Sequence, residues 1–386
     1  MTMTAAVGAV VPFHGRNMAV RSIDTTILDV PTRRRHRLSS TEISHQSVVL
    51  VTVLLENGVT GHGEASTLGG PRWSEESVEA IKANIDTYLA PVVVGLSASD
   101  LELASARMAK AAQRNFSAKA AVDAALIDAL GRTLDLPAAA LLGGPQRDRF
   151  PVIWALASGD AGQETEEARE KISSGTFNRF KVKIGFDTPQ ADLRRLQALR
   201  LALPDVDIIV DVNQGWSETT CLRFFPALSE LGVALIEQPL HAGQIGGMVR
   251  LAARSPIPLM LDEACFTETE TLHAATVGAG HVLSLKLVKS GSVHSLKRAA
   301  GIAAAAGLEL YGGCLLETSL GAAAHLAAFA TLPQLHWGTE QFAPQIVIAD
   351  TVVDPLVYRD YHVYLPKGPG LGVTPDPDRI KSMSRR

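Results

Sequence analysis

Carboxylates recur at the ends of short apolar runs in this chain. Asp211 closes "DIIVD", Glu237 closes "VALIE", and Asp262 follows "PLML". Asp211 and Glu237 are 26 residues apart and Glu237 and Asp262 are 25 apart; Lys286, in "LSLKLVKSG", comes 24 later. Each interval is the length of one strand, one helix and their connections. One such acid alone reads as a helix cap or a loop charge. Three at this spacing converge on the same end of neighbouring strands. With no histidine or cysteine among them they form a hard oxygen site, suited to Mg²⁺ or Mn²⁺. Without a cation, the three would raise one another's pKa values and destabilise the fold.

The second element of the pattern is lysine. "FKVKIG" (180–185) has the composition of a strand, and alternate strand residues share a face. Lys181 and Lys183 therefore point one way, and Phe180, Val182 and Ile184 the other. Taken alone, "KVK" reads as a solvated edge strand. Beside a carboxylate-bound cation it reads differently, because a cation and a second lysine both lower a lysine's pKa. Lys286 approaches from the far side. Lysines on both sides of a metal-bound carboxylate suit proton transfer at the α-carbon, with the cation stabilising an enolate. Two more acids stand at later strand ends, Glu317 in "CLLETS" and Glu340 in "HWGTE". The residues alone do not choose between them as a further acid.

Positioning these groups requires a barrel. After Pro145, eight apolar runs alternate with helical stretches: 152–159, 180–185, 207–213, 233–239, 258–264, 282–288, 308–313 and 334–340. Strands alternating with helices imply a parallel sheet, and eight in series imply a (β/α)₈-type barrel, whose catalytic groups sit at the C-terminal strand ends. "APQIVIADTVVDP", after the last run, lacks helical spacing. Residues 20–65 read as strands with a hairpin at Asn57-Gly58, and 74–143 as helices, so a separate α+β domain precedes the barrel.

The totals agree. At 386 residues, the chain exceeds the usual size of a single core. A net charge of −4 offers no basic excess for nucleic acid. Cys221, Cys265 and Cys314 are far apart and lack CxxC spacing, so a reduced, cytoplasmic setting fits better than a disulfide framework. No apolar stretch approaches the ~20 residues that span a bilayer. The apolar run near the N-terminus lacks a basic flank, so a signal peptide is not expected. Residues 1–19 are expected to be disordered, with Met18 as an alternative start. No GxGxxG or GxxxxGK[ST] supports a nucleotide fold.

The motifs "KVK", "DVNQGW", "IEQP", "LDEA" and "LKLVKSG" resemble the enolase superfamily, and within it the muconate-lactonizing subgroup. The resemblance runs from about residue 20 to the end of the chain. It takes in "GEASTLGG", "FSAKAAVDAALIDALG", "LLGG" and "WALASGD". "YGGCLLETSLG" and "LPQLHWGTEQFAP" are similar to muconate and chloromuconate cycloisomerases in particular.

The resemblance implies an α/β fold: a modified TIM barrel, (β/α)₇β, over residues 146–360, with an N-terminal α+β capping domain over 20–145. Residues 361–386 would return to the cap. It implies Asp211, Glu237 and Asp262 as metal ligands, with Mn²⁺ as the cation and Mg²⁺ as the alternative. Lys183 would transfer the proton, Lys181 would tune it, and Lys286 would act electrostatically across the substrate. Glu340 matches the family's proton-donor glutamate. Leu68, Trp73, Glu317 and Phe342 are the expected substrate contacts. The implied reaction is lactonisation of cis,cis-muconate, a small dicarboxylate from catechol degradation, by a homo-oligomer, an octamer in many relatives.

Two cap loops, 31–40 ("PTRRRHRLSS") and 66–77, would shape the pocket. The arginines are either a solvated loop or a means of steering a dianion. Trp73 is either a packing residue or a mark of chloromuconate-active members; Gln341 and Phe342 resemble the non-halogenated type. Dipeptide epimerase and o-succinylbenzoate synthase share the lysines and the ligands, but the cap loops and "WGTE" disfavour both. A mandelate racemase-like reaction would want a histidine base at the seventh strand, where Glu317 stands. A non-catalytic binding protein would not keep this set of charged residues together.

Overall fold

The computed structural model describes residues 17–37, 39 and 41–385. The expectation of disorder for residues 1–16 lies outside the described residues. The same expectation for 17–19 is corrected: the Met18 side chain is buried in the cap core, and its carbonyl accepts the Ala98 N–H.

The chain begins with an antiparallel sheet in the order β1 (Val20–Arg37), β2 (Glu42–Leu55), β3 (Thr60–Ser66). Asn57-Gly58 turns β2 into β3, with Gly58 at φ +84°. The period-2 pattern of β2 explains the packing. Val49, Val51, Val53 and Leu55 face the cap's own core, while Val48 and Leu50 face the core shared with the barrel. The helix Phe116–Leu134 lies against this sheet, almost wholly buried and rich in alanine. Its approach requires glycine: a Cβ on Gly63 would lie 2.0 Å from the Ala121 carbonyl oxygen.

Loop 31–40 differs from its expectation. Residues 31–37 extend β1, with a register shift against β2 between Pro31 and His36. Two of their four arginines are held by the barrel. Arg34 donates to Glu167 at 2.6 Å and to the Ala155 carbonyl at 2.6 Å, and Arg37 covers the Phe186 ring.

The larger sheet is parallel and curled. Its strands are β5 (Ile153–Leu156), β6 (Arg179–Lys183), β7 (Asp207–Asp211), β8 (Val233–Glu237), β9 (Leu259–Leu261), β10 (Val282–Leu285) and β11 (Glu309–Gly312). Neighbours in sequence are neighbours in the sheet, from β5 at one edge to β11 at the other. The expected eighth strand is reduced to one residue. Thr339 bridges Val152 on one side and Gly312 on the other, closing the barrel between its first and seventh strands. Thr339 donates its N–H to the Pro151 carbonyl and accepts from Ile153. Pro333, Gly338 and the turn at His336–Trp337 leave no length for a longer strand.

Inside the barrel, Ile153, Ile209, Leu235, Met260, Val282 and Tyr311 form an apolar plug. The opposite faces of the strands, including Phe180, Val182 and Ile184, pack beneath the surrounding helices. Lys181 rests on the plug, with Nζ 4.6 Å from the Tyr311 ring centroid.

Before β5, the strand β4 (Arg149–Pro151) pairs with β13 (His362–Tyr364), which also pairs with β12 (Tyr358–Arg359). The chain then crosses to the cap, where Ser384 bridges Leu28 and Arg385 pairs with Asp29 at 2.6 Å. Among the described residues no helix is long and apolar enough to cross a membrane.

Candidate active site

The upper layer of the barrel is built by strand register. Lys183 stands opposite Asp211, and Asp211 stands opposite Glu237. Asp262 follows the last residue of β9, and its N–H is held by the Gln238 side chain at 2.9 Å. Lys286 follows β10. A Cβ on Gly313 would come within 2.6 Å of Lys286 Cε, so glycine leaves the lysine its room.

Each carboxylate is turned onto an ammonium. Lys183 Nζ donates to Asp211 Oδ2 at 2.5 Å and Lys286 Nζ donates to Asp262 Oδ2 at 2.5 Å. Lys289 donates at 3.0 Å both to Asp262 Oδ1 and to its carbonyl. Lys181 donates to Glu340 Oε2 at 2.5 Å. It lies equally close to Glu237 Oε2, but off the hydrogen-bonding direction, so both Glu237 oxygens are buried without a hydrogen bond.

Among the described residues, no three acidic, histidine or cysteine side chains are gathered into a ready-made metal cage. Asp211, Glu237 and Asp262 nevertheless fit a divalent cation. The donors are all oxygen, their strand ends adjoin, and the Glu237 pair is an orphaned acceptor of the kind that a cation satisfies.

The electrostatics support this fit. Burial pushes the Glu237 carboxyl well above the usual range, and Asp211 and Asp262 push it further. Burial would also raise Asp262, but Lys286 and Lys289 prevail and hold it far below. Burial draws Lys183 down, yet Asp211, Glu340 and Glu237 together outweigh it and keep the amine above the ordinary lysine value. Lys181 opposes that rise, in the direction expected of a neighbouring cation. The carboxylates therefore hold Lys183 protonated, the reverse of a lysine made neutral by its surroundings.

A cavity of about 310 Å³, counted out to solvent, opens above this layer. Lys183, Asp211, Lys286 and Glu340 face it from the barrel, and Leu68 and Trp73 face it from the cap. Trp73 lies over Lys286, its ring centroid 4.4 Å from Nζ. Lys181, Glu237 and Asp262 do not line this cavity. Two expected substrate contacts do not face the cavity. Glu317 turns back to accept the Leu315 N–H with both oxygens, at 2.9 and 2.8 Å, beside His325. Phe342 is fully buried, stacked behind His36 and tilted against Trp154.

Four participants were not singled out by the sequence. His36 lines the cavity, where burial, Arg34 and the two lysines of β6 hold its imidazole well below its usual pKa. It lay hidden in the arginine run. Asn213 lines the cavity too, 3.4 Å from Lys183 Nζ and 3.2 Å from Glu263. Its signal was present in "DVNQGW". Gln238, in "IEQP", holds the Asp262 and Ala264 N–H groups. Lys289, in "LKLVKSG", is the second cation on Asp262.

Comparison with known proteins agrees with this arrangement. The family described as mandelate racemase / muconate lactonizing enzyme, N-terminal domain, matches residues 22–143, and the enolase C-terminal domain-like family matches residues 163–379. A chloromuconate cycloisomerase of Cupriavidus necator is 41% identical over 95% of this chain and 100% of its own length. Muconate cycloisomerase 1 of Pseudomonas putida is 41% identical over 96% of this chain and all of its own. The solved muconate lactonizing enzyme from Pseudomonas fluorescens, complexed with muconolactone, superposes with a TM-score of 0.94 at 40% identity, over 96% of this chain and 100% of that one. The 2-chloromuconate cycloisomerase from Rhodococcus opacus 1CP gives 0.93 at 38% identity, over 95% of this chain and 100% of that one. The chain belongs to the mandelate racemase / muconate lactonizing enzyme family of the enolase superfamily.

Proposed function

We propose that the chain is a cycloisomerase that converts cis,cis-muconate to muconolactone in the breakdown of catechol. The observation that carries this reading is the pairing of Lys183 and Lys286 around one cavity, with Asp211 and Glu340, under a lid of Leu68 and Trp73. Two lysines on the cavity walls suit the two carboxylates of a small diacid.

In the reaction, one substrate carboxylate oxygen adds to the far double bond. A C–O bond forms, the π pair moves toward the second carboxylate to give its enolate, and the α-carbon then takes one proton. Lys183 supplies that proton as an ammonium, which fits the protonated state that the surrounding carboxylates maintain. Solvent recharges it. In the reverse direction the neutral amine is the base. Lys286, also protonated, faces the developing charge from the barrel wall across from Lys183. Glu340 lines the cavity as the second acid, and Lys181 ties it to Glu237.

The family depends on a divalent metal. Asp211, Glu237 and Asp262 would hold the cation, with Mn²⁺ preferred and Mg²⁺ as the alternative, and it would supply positive charge for the enolate oxygens. The three cysteines are buried and free, consistent with a cytoplasmic setting. Self-association into a homo-oligomer is part of the proposal, and sedimentation tests it. A second reading, chloromuconate as the preferred substrate, is favoured by the Trp73 ring at the cavity wall.

The test follows the loss of muconate ultraviolet absorbance with Mn²⁺ or Mg²⁺, and with chelator. Turnover of neither muconate nor chloromuconates by the metal-loaded protein refutes the assignment. Turnover of chloromuconates alone selects the second reading.

A further inference from the structure

The cap and the barrel each contribute one loop to the cavity wall. Residues 67–73 bring Leu68 and Trp73, and residues 314–317 bring Cys314, Leu315 and Leu316. One side chain holds both. Gln46, on β2 and itself fully buried, donates from Nε2 to the Thr67 carbonyl at 2.8 Å and to the Leu315 carbonyl at 3.0 Å. A primary amide nitrogen carries two hydrogens, and both are used. The reverse amide orientation would set an oxygen against two carbonyl oxygens, so the network fixes the rotamer as well as the residue type.

The barrel loop depends on such ties. Its Leu315 N–H is held by Glu317, and its Thr318 N–H and hydroxyl are held by Glu64 from β3 of the cap. Between them Leu316 is left-handed, at φ +60°, a conformation that costs a leucine energy and persists where its surroundings impose it.

We propose that Gln46 is a positioning residue that locks the two cavity loops in register and so sets how a flat dicarboxylate fits between Leu68 and the Leu315–Leu316 wall. Its link to substrate fit rests on the function proposed above; its link to the loops does not. Gln46 is not among the cavity-lining residues and acts through the carbonyls of Thr67 and Leu315.

The test compares wild type with Q46M, which keeps the volume and removes both donors. Hydrogen exchange is read at residues 67–73 and 314–318, and steady-state kinetics are read with muconate and chloromuconates. We expect exchange to rise about tenfold or more in both segments together, as befits the loss of two buried bonds. We also expect KM to rise about tenfold while kcat changes less than about threefold, the pattern of weakened binding rather than weakened chemistry. The ratio of muconate to chloromuconate kcat/KM should shift. A lower melting temperature with unchanged exchange in either segment, or with unchanged KM and substrate ratio, overturns the proposal. Should Q46M not fold, Q46N, whose shorter amide spans only one carbonyl, carries the same comparison. If wild type turns over no muconate of any kind, the functional reading fails, and the exchange data alone decide the clamp.

Discussion

Lys183 and Asp211 stand opposite each other on neighbouring strands, and the lysine Nζ lies 2.5 Å from Asp211 Oδ2. The same ammonium faces the cavity. The pair therefore joins the proton-transfer group to an expected metal ligand, and the two roles can be separated by mutation. Lys183→Ala removes the proton donor and frees Asp211 from a competing cation. Turnover should fall by about 10²- to 10⁴-fold, the range of a positioned general acid–base. Mn²⁺ affinity, read by electron paramagnetic resonance, should hold or increase. Loss of metal in this variant would show that the roles are wrongly divided.

Metal binding should also appear as stability. A cation that binds the folded chain alone stabilises it by RT ln(1 + [L]/Kd), about 2.7 kcal/mol at a hundredfold excess over Kd. Melting temperature should rise with Mn²⁺ concentration, and chelator should reverse the rise. Glu237→Gln removes the charge of the carboxylate whose oxygens lack hydrogen bonds, so it should abolish the Mn²⁺-dependent shift. It should also raise stability without metal, because Glu237 is buried among like charges. A shift of wild-type size in Glu237→Gln would place the cation elsewhere.

Glu64 gives a pH dependence in which none of the expected metal ligands is among the groups that act on it. Burial raises its carboxyl to about 8, overcoming hydrogen bonds from Thr318, with Glu317 and Asp350 adding to the rise. The folded state therefore keeps a proton that the unfolded chain releases near pH 4.5. Stability from this group is complete below the unfolded value and is lost as pH rises through about 8. Within that window one such proton costs about 1.4 kcal/mol per pH unit. Asp123, raised by burial to about 7, acts with the same sign. Glu64→Gln should flatten the fall in denaturation free energy between pH 5 and 8 by about one proton's slope. An unchanged slope would show that Glu64 is ionised in the folded chain.

The chemistry of the site was more legible in the sequence than its geometry. The spacing of Asp211, Glu237, Asp262 and Lys286 works because each βα unit has nearly constant length, so strand ends recur at a readable interval. The alternation in "FKVKIG" sent both lysines inward, as a period of two requires. What failed depended on long-range pairing. Thr339 closes the barrel as a single bridge because residues far away in sequence, Val152 and Gly312, are already in place. The strand-like composition of 334–340 could not reveal that. Glu317 has the chemistry of a site residue, but its carboxylate satisfies the Leu315 N–H two residues back. The arginines of 31–37 suggested steering until Glu167 and Phe186, brought by the barrel, engaged two of them.

Trp73 joins the cap to the chemistry. Its ring lies 4.4 Å from Lys286 Nζ and packs on Phe266 with centroids 5.5 Å apart. Lys286 is protonated, since burial pulls its amine down but Asp262 and then Glu237 hold it far above its ordinary value. A charged amine over an indole in a desolvated site is worth about 1–2 kcal/mol, a factor of roughly 5–30 in an equilibrium. Trp73→Ala removes that attraction and opens the lid, so KM should rise by about that factor. Trp73→Phe keeps a smaller π-face, and its rise should be about two- to threefold. In both, kcat should change little if Lys286 acts by charge and not by moving a proton. Indole emission should change on substrate addition in wild type and lose that component in Trp73→Phe. A large fall in kcat with unchanged KM would instead make the Trp73–Lys286 contact part of the chemical step.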